Sequence, residues 1–288
     1  MWYQLQIEQC HRDDIDRLSE ELEEAGALSI TLTDKNDDPV LEPEPGTTPL
    51  WPDVIINALF DDENHANQVK QQFGARYPDL QYRLEELPDQ DWERAWMDDF
   101  KPQRFGKRLW ICPSWTTPPE PDAVNLILDP GLAFGTGTHP TTSLCLNWLD
   151  QADLADKTLI DYGCGSGILA LAALKLGARH VQAIDIDPQA LIATQNNADS
   201  NSVSSQNLHL GLPDSLQPPV DMIIANILLA PLTRLKQDFY QLLEHGGTLV
   251  VSGILTEQAS QLAEEYRNLF ELTDNQQLDG WSLLVFRK

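Results

Sequence analysis

Three glycines, Gly163, Gly165 and Gly167, stand between an apolar run and a segment with helical spacing. A second apolar run follows and ends in acid at Asp185 and Asp187. Glycines let the backbone approach a nucleotide-like ligand, and an acid after the second strand can accept hydrogen bonds from ribose hydroxyls. The spacing therefore predicts a binding site for a cofactor that contains adenosine.

The length of the glycine loop discriminates between two classes of cofactor. The loop reads G-x-G-x-G, which is shorter than the G-x-G-x-x-G loop that holds a pyrophosphate at a helix N-terminus. S-adenosylmethionine has no pyrophosphate, so the shorter loop suits it better. An NAD-dependent oxidoreductase is the alternative, but it requires the longer loop and a base for hydride transfer, and neither is recognisable in the sequence.

Composition restricts the partners. The formal charge of −26 argues against direct nucleic-acid binding, which needs basic patches. It favours a basic protein partner attracted at long range, although solubility alone is another explanation. No apolar run is long enough to span a membrane, and the first residues do not have the pattern of a signal peptide. The scattered cysteines and histidines predict no metal site. We expect a cytoplasmic monomer.

The chain divides into segments with different patterns. Residues 1–87 show the order β-α-β-β-α-β, which predicts a ferredoxin-like α+β domain. This domain has no catalytic constellation, so we interpret it as a binding or positioning module. Residues 88–122 are predicted to be a linker with a short helix, bearing Trp92 and Trp96, and a hairpin bearing Trp110 and Trp115.

Residues 123–288 alternate between strand and helix. Strands are predicted at 158–162, 180–185, 206–210, 220–225 and 247–252, helices at 140–150, 167–177, 188–200, 230–244 and 256–270, and a final antiparallel hairpin at 269–274 and 281–287. This order predicts an α/β, Rossmann-like parallel sheet with helices on both faces. Gly163, Asp185 and Asn226 each follow a strand, so they should meet at the carboxyl edge of the sheet.

Two further motifs carry a family resemblance. They are Leu-Asp-Pro-Gly-Leu-Ala-Phe-Gly-Thr-Gly-Thr-His-Pro-Thr-Thr-Ser-Leu at 128–144 and Ala-Asn-Ile-Leu at 225–228. With the glycine loop, they resemble the PrmA family of bacterial ribosomal protein methyltransferases, a family of class I S-adenosylmethionine-dependent enzymes. The resemblance covers essentially the whole chain and implies that the ferredoxin-like domain at 1–87 binds the substrate. The resemblance implies methyl transfer to lysine ε-amines and the N-terminal α-amine of ribosomal protein eleven of the large subunit, with S-adenosylhomocysteine as product. Another basic protein or a small amine stays open as the acceptor.

The resemblance and the chemistry of the motifs together give the expected site. The expected cofactor-binding residues are Phe134, Thr138, Thr142, Asp161, Gly163, Gly165, Asp185 and Asn226. Asp161 has two possible roles, to orient the glycine loop or to meet the methionine ammonium. Thr138 is also a candidate helix cap.

Asn226 is the expected catalytic residue. Its carboxamide oxygen can accept a hydrogen bond from an attacking amine and aim the nitrogen lone pair at a methyl carbon. The sequence after it lacks the prolines and aromatic residue of the Asn-Pro-Pro-aromatic motif, which argues against planar acceptors and favours a flexible aliphatic amine. The motifs show no general base, and we interpret His139 as structural.

Overall fold

The computed structural model describes residues 1–36, 50–51, 53–87, 100–129 and 139–288. Its contacts divide the chain into two compact units, Met1–Met97 and Asp98–Lys288. The elements of the first unit are β1 (Trp2–His11), α1 (Ile15–Glu24), β2 (Ser29–Asp34), β3 (Asp53–Phe60), α2 (Glu63–Arg76) and β4 (Gln81–Leu87). The predicted β-α-β-β-α-β order is confirmed.

The first unit is built on an antiparallel sheet with the strand order β2-β3-β1-β4. Alternate residues of each strand enter the core, as the two-residue period of a strand requires. Leu5 and Ile7 pack there with helix residues such as Leu18 and Val69. The unit therefore has a hydrophobic core of its own.

The second unit contains the remaining elements. They are β5 (Gln103–Phe105), β6 (Leu109–Cys112), β7 (Val124–Ile127), α3 (Pro140–Gln151), β8 (Thr158–Tyr162), α4 (Ile168–Lys175), β9 (His180–Ile184), α5 (Pro188–Ser200), β10 (Leu208–Gly211), β11 (Val220–Asn226), α6 (Leu229–Leu242), β12 (Leu243–Leu255), α7 (Ala259–Tyr266), β13 (Glu271–Leu278) and β14 (Trp281–Arg287). Seven strands form one sheet in the order β10-β9-β8-β11-β12-β14-β13. The first five are parallel, and the final hairpin is antiparallel. The Rossmann-like prediction is confirmed.

Both faces of this sheet are covered. Successive residues of β8 alternate between two cores, because Leu159 packs with residues of α3, α4 and α5 while Ile160 packs with residues of α6 and α7. Some predicted bounds were wrong: α7 is shorter than predicted because the chain first makes a 3-10 turn at Thr256–Gln258, and β12 is longer than predicted. None of the helices in the described part of the chain is long and apolar enough to cross a membrane.

A small sheet of three strands precedes the large one, in the order β5-β6-β7. Its first two strands form the predicted hairpin, with Trp110 in β6, whereas Trp115 lies beyond that strand. Strand β7 pairs with β6 in parallel, so this sheet crosses the predicted boundary at residue 122. The predicted helix with Trp92 and Trp96 lies outside the described residues. The division into three functional segments stays a prediction.

Candidate cofactor and active site

A cavity of about 490 Å³ opens at the carboxyl ends of β8, β9 and β11. This volume lies within the range of small-molecule sites. The cavity is lined by Thr142, Tyr162, Gly163, Cys164, Gly165, Ile168, Leu169, Asp185, Ile186, Asn226, Ile227, Pro231, Arg234 and Leu235. The structure thus brings together five predicted site residues, namely Thr142, Gly163, Gly165, Asp185 and Asn226. Phe134 and Thr138 lie outside the described residues.

The glycine loop turns back on the end of β9. The backbone amides of Gly163 and Cys164 both donate to the carbonyl oxygen of Ile184, at 2.7 and 3.0 Å. The φ angle of Gly163 is +81°, a conformation that L residues rarely adopt. A Cβ atom at Gly163 would overlap Cγ2 of Ile227. The prediction that glycine at this position admits the cofactor stays a prediction, and the contact with Ile227 is a second reason for glycine.

The carboxylate of Asp185 binds the backbone of the glycine loop and can still accept further hydrogen bonds. Its Oδ2 accepts from the amide of Gly165 at 2.9 Å, and its Oδ1 accepts from the amide of Asp187 at 3.0 Å. Each carboxylate oxygen has a second lone pair. Asp185 can therefore accept from two ribose hydroxyls while both backbone bonds persist.

Asn226 lies at the end of β11, and only the amide nitrogen of its side chain has a hydrogen bond among the described residues. Its Nδ2 donates to Oγ1 of Thr142 at 3.4 Å, and Thr142 is buried in the first turn of α3. Its Oδ1 is buried and has no hydrogen-bond partner among the described residues. A buried acceptor without a donor is unfavourable by about 1–3 kcal/mol. The site thus contains an acceptor that an N–H group of a ligand would satisfy.

Comparison with known proteins decides the family. The sequence model of the ribosomal protein L11 methyltransferase (PrmA) family matches residues 1–288. The chain belongs to this family. Its similarity to the ribosomal protein L11 methyltransferase of Legionella pneumophila (strain Corby) is 65% identity over 286 residues, which covers 99% of each chain. The same enzyme of Nitrosococcus oceani is 52% identical over 290 residues, covering 99% of this chain and 98% of the other.

A solved structure agrees with this assignment. The chain is similar to ribosomal protein L11 methylase from Lactobacillus delbrueckii subsp. bulgaricus, with a TM-score of 0.61 and 32% identity, over 66% of this chain and 100% of that one. The fold is therefore that of the class I methyltransferases, and the cofactor is S-adenosylmethionine. Membership of the PrmA family contradicts the alternative of an NAD-dependent oxidoreductase.

The residues of this PrmA protein fit that cofactor. Asp185 offers free lone pairs for ribose hydroxyls, and Ile186 beside it is 80% exposed, so an apolar surface stands next to the ribose acid. Such a surface suits the flat face of an adenine ring. Gly163 and Gly165 present backbone without side chains along the wall of the cavity.

Asp161 does not line the cavity. It is fully buried, and its Oδ2 accepts from the amide of Ala170 at 2.9 Å. Burial raises the pKa of Asp161 to about 7. Its Oδ1 has no partner among the described residues. Of the two predicted roles, orientation of the segment after the glycine loop has a contact in the structure, and contact with the methionine ammonium stays a prediction.

His139 caps α3, which begins with Pro140. The ring Nδ1 of His139 accepts from the amide of Thr141 at 3.3 Å, and the ring packs edge-on against Trp281. Burial lowers the pKa of His139, because it disfavours the charged ring. Thr138, the candidate cap named from the sequence, lies outside the described residues, and His139 caps the helix in the part that the structure describes. The contacts of His139 agree with its structural interpretation.

The sequence did not reveal several residues of the cavity wall. The sequence does contain a pattern that could have identified Ile186, because this apolar residue directly follows Asp185 beyond the end of a strand. No local pattern identifies Arg234 and Leu235, because they reach the cavity from α6. Their approach depends on how that helix packs on the sheet, which local patterns do not specify.

Proposed function

We propose that this protein transfers methyl groups from S-adenosylmethionine to lysine ε-amines and the N-terminal α-amine of ribosomal protein L11. The observation that carries the proposal is the buried Oδ1 of Asn226, an acceptor without a donor at the wall of the cofactor cavity. An amine can donate a hydrogen bond to this oxygen and can also react with an electrophilic methyl group.

The surroundings of Asn226 support an aliphatic amine. The residues that follow it, Ile227 and Leu228, are aliphatic, so the segment has no aromatic ring on which a nucleobase or planar amide could stack. The charge of −26 supports a basic protein as the carrier of that amine, because long-range attraction speeds the encounter.

The reaction needs the amine in its neutral form. A lysine with its ordinary pKa of about 10.4 is neutral roughly once in 2,500 molecules at pH 7, which costs about 4.6 kcal/mol. The aliphatic side chains of Ile227 and Leu235 at the cavity lower this cost, because an apolar environment disfavours the ammonium ion. When bound, S-adenosylmethionine supplies the methyl group on a sulfonium centre. Asn226 Oδ1 accepts a hydrogen bond from an N–H of the amine and so orients the lone pair of the amine nitrogen. Solvent takes the proton that the ammonium ion loses when the neutral amine forms.

The remaining predictions belong to the same proposal. The ferredoxin-like unit acts as the substrate-binding domain and presents L11 to the cavity. The enzyme works as a monomer in the cytoplasm and does not bind nucleic acid directly. Its acidic surface supports the last point, since a phosphate backbone repels it.

Intact-mass spectrometry of purified L11 tests the proposal. L11 is incubated with S-adenosylmethionine and either the wild-type enzyme or Asn226→Ala, and peptide mapping then locates the modified amines. Asn196→Ala, an exposed change on α5, is the matched control. We expect stepwise gains of one methylene with the wild type and the control, and a loss of at least about 100-fold in rate with Asn226→Ala. An unmodified L11, from an enzyme that binds S-adenosylhomocysteine, would contradict L11 as acceptor and favour another basic protein or a small amine.

A further inference from the structure

Ile227, the residue after Asn226, contacts two glycines from different parts of the sheet. Gly163 follows β8 and begins the cofactor loop, and Gly253 lies within β12. A Cβ atom at Gly163 would overlap the Ile227 side chain, and a Cβ atom at Gly253 would stand 2.8 Å from the backbone carbon and 2.9 Å from the backbone nitrogen of Ile227. Both contacts are possible because neither Gly163 nor Gly253 carries a side chain.

The backbone of Ile227 is held against β12. Its amide donates to the carbonyl oxygen of Ser252 at 3.2 Å, and this bond continues the parallel pairing in which Asn226 stands opposite Ser252. Gly253 has a φ of +84°, a conformation that disfavours other residues, and the pairing of β12 with β14 is irregular between Val251 and Ile254. The segment after Asn226 therefore rests on β12 without an intervening side chain.

The side chain of Ile227 extends from that fixed backbone to the cofactor loop. Its Cγ2 lies over Gly163, whose amide is bonded to Ile184 at 2.7 Å. Ile227 also lines the cofactor cavity and packs against the core beneath α6. One side chain thus spans the gap between the loop that binds the cofactor and the strand end that bears Asn226.

We propose that Ile227 is a positioning residue for methyl transfer: its branched side chain sets the separation between the cofactor loop at Gly163 and the carboxamide of Asn226. The inference rests on the proposed role of Asn226. In-line transfer depends mainly on alignment, and a misplacement of about 1 Å can lower a rate about 100-fold. A β-branched residue suits this task because branching at Cβ restricts rotation about χ1.

Three substitutions of Ile227 distinguish the effect of its branch at Cβ from the effect of its side-chain volume. Ile227→Val keeps both Cγ atoms, Ile227→Leu keeps the volume but moves the branch away from Cβ, and Ile227→Ala removes the contact. We expect Ile227→Ala and Ile227→Leu to lower kcat for L11 by about tenfold or more with little change in KM for L11, and Ile227→Val to restore kcat to within about threefold of wild type. A merely structural role would lower the midpoint of thermal unfolding and leave kcat unchanged.

A double-mutant cycle tests whether Ile227 acts through Asn226. Single-turnover rates with radiolabelled methyl groups are measured for Asn226→Ala, Ile227→Ala and the double variant. We expect Ile227→Ala to cost little further, less than about threefold, in the Asn226→Ala background, because the group that it positions is already absent. The inference would be overturned if the rate losses of the two single variants multiply in the double variant. It would also be overturned if Ile227→Val and Ile227→Ala lower the rate equally.

A second measurement needs no acceptor protein. In amide NMR spectra of the complex with S-adenosylhomocysteine, Ile227→Ala should shift both the Gly163 amide and the Asn226 side-chain amide, and Ile227→Val should shift neither by a comparable amount. An unmoved Asn226 side-chain signal in Ile227→Ala would overturn the inference even if L11 is not the acceptor. Failure of the wild type on L11, with these shifts present, would contradict the proposed function alone.

Discussion

The carboxyl group of Asp161 accepts a hydrogen bond from the backbone amide of Ala170 at 2.9 Å, and this bond joins the first turn of α4 to the strand before the glycine loop. Helix α4 begins after Gly167, which has no side chain to cap it. The first amides of a helix have no partner within the helix. Asp161, at the end of β8, therefore supplies the cap that Gly167 does not.

Removal of this cap should destabilise the unit. Asp161→Ala leaves the Ala170 amide buried without an acceptor, and we expect a loss of about 1–3 kcal/mol in the free energy of unfolding. Asp161→Asn keeps an acceptor oxygen and should retain most of that stability at neutral pH. Urea unfolding followed by circular dichroism measures both variants. A stability for Asp161→Ala equal to that of Asp161→Asn would show that the bond contributes little.

The raised pKa of Asp161 predicts an unusual dependence of stability on pH. Burial raises this pKa from the ordinary 3.8 to about 7 in the folded protein. Folded Asp161 thus holds a proton at pH values where the unfolded chain has released it, so its contribution to stability is fully present below about pH 4 and is lost as the pH rises to about 7. The loss is at most about 1.4 kcal/mol per pH unit.

Comparison with Asp161→Asn isolates this effect, because the amide does not titrate and all other groups are shared. Unfolding free energies are measured for both proteins from pH 5 to pH 7.5. The wild type should lose stability relative to Asp161→Asn as the pH rises. Parallel curves would mean that Asp161 is ionised throughout this range.

Local sequence patterns predicted the convergence of the candidate site residues wherever such a residue directly ends a strand. Gly163, Asp185 and Asn226 follow apolar runs, and parallel strands bring their carboxyl ends together, so their convergence required no knowledge of packing. Thr142 came from the family resemblance, since nothing in its local sequence shows that it contacts Asn226. That contact joins residues 84 positions apart in the chain.

The strand β12 shows where such patterns fail. The prediction began this strand at residue 247, within the pair Gly246-Gly247, and glycine pairs are typical of turns. In the structure the strand begins at Leu243, and Gly246 has a φ of +77° while its amide donates to the carbonyl oxygen of Lys288. The hydrogen bond with Lys288, which is distant in sequence, thus allows Gly246 and Gly247 to be part of a strand.

Thr142 should affect the rate through Asn226. Thr142→Val has nearly the same shape but no hydroxyl, so Nδ2 of Asn226 loses its acceptor. We expect kcat to fall by roughly 5- to 30-fold, which corresponds to about 1–2 kcal/mol. Thr142→Ser restores the acceptor and should recover most of the loss. Steady-state methylation of L11, with S-adenosylhomocysteine affinity measured in parallel, separates orientation of Asn226 from cofactor binding, and a change confined to affinity would contradict this role.

Asp150 anchors the hairpin of β5 and β6 to α3. Its side chain is buried and accepts from the amides of Lys107 and Arg108, at 2.7 and 3.0 Å. Gly106 precedes them with a φ of +61°, and a side chain there would collide with the carboxylate. The hairpin turn is thus shaped around one acid from the helix.

Asp150→Ala should lower the free energy of unfolding by about 1–3 kcal/mol, because the amides of Lys107 and Arg108, in two partly buried hydrogen bonds, lose their acceptor together. Asp150→Asn keeps one acceptor oxygen and should cost less, and Asp153→Ala, an exposed change just beyond α3, is the matched control. Hydrogen exchange measured by mass spectrometry should show faster exchange in residues 103–112 of Asp150→Ala, with the strands of the large sheet still protected. Unchanged exchange in that peptide would mean that the hairpin is held by its other contacts.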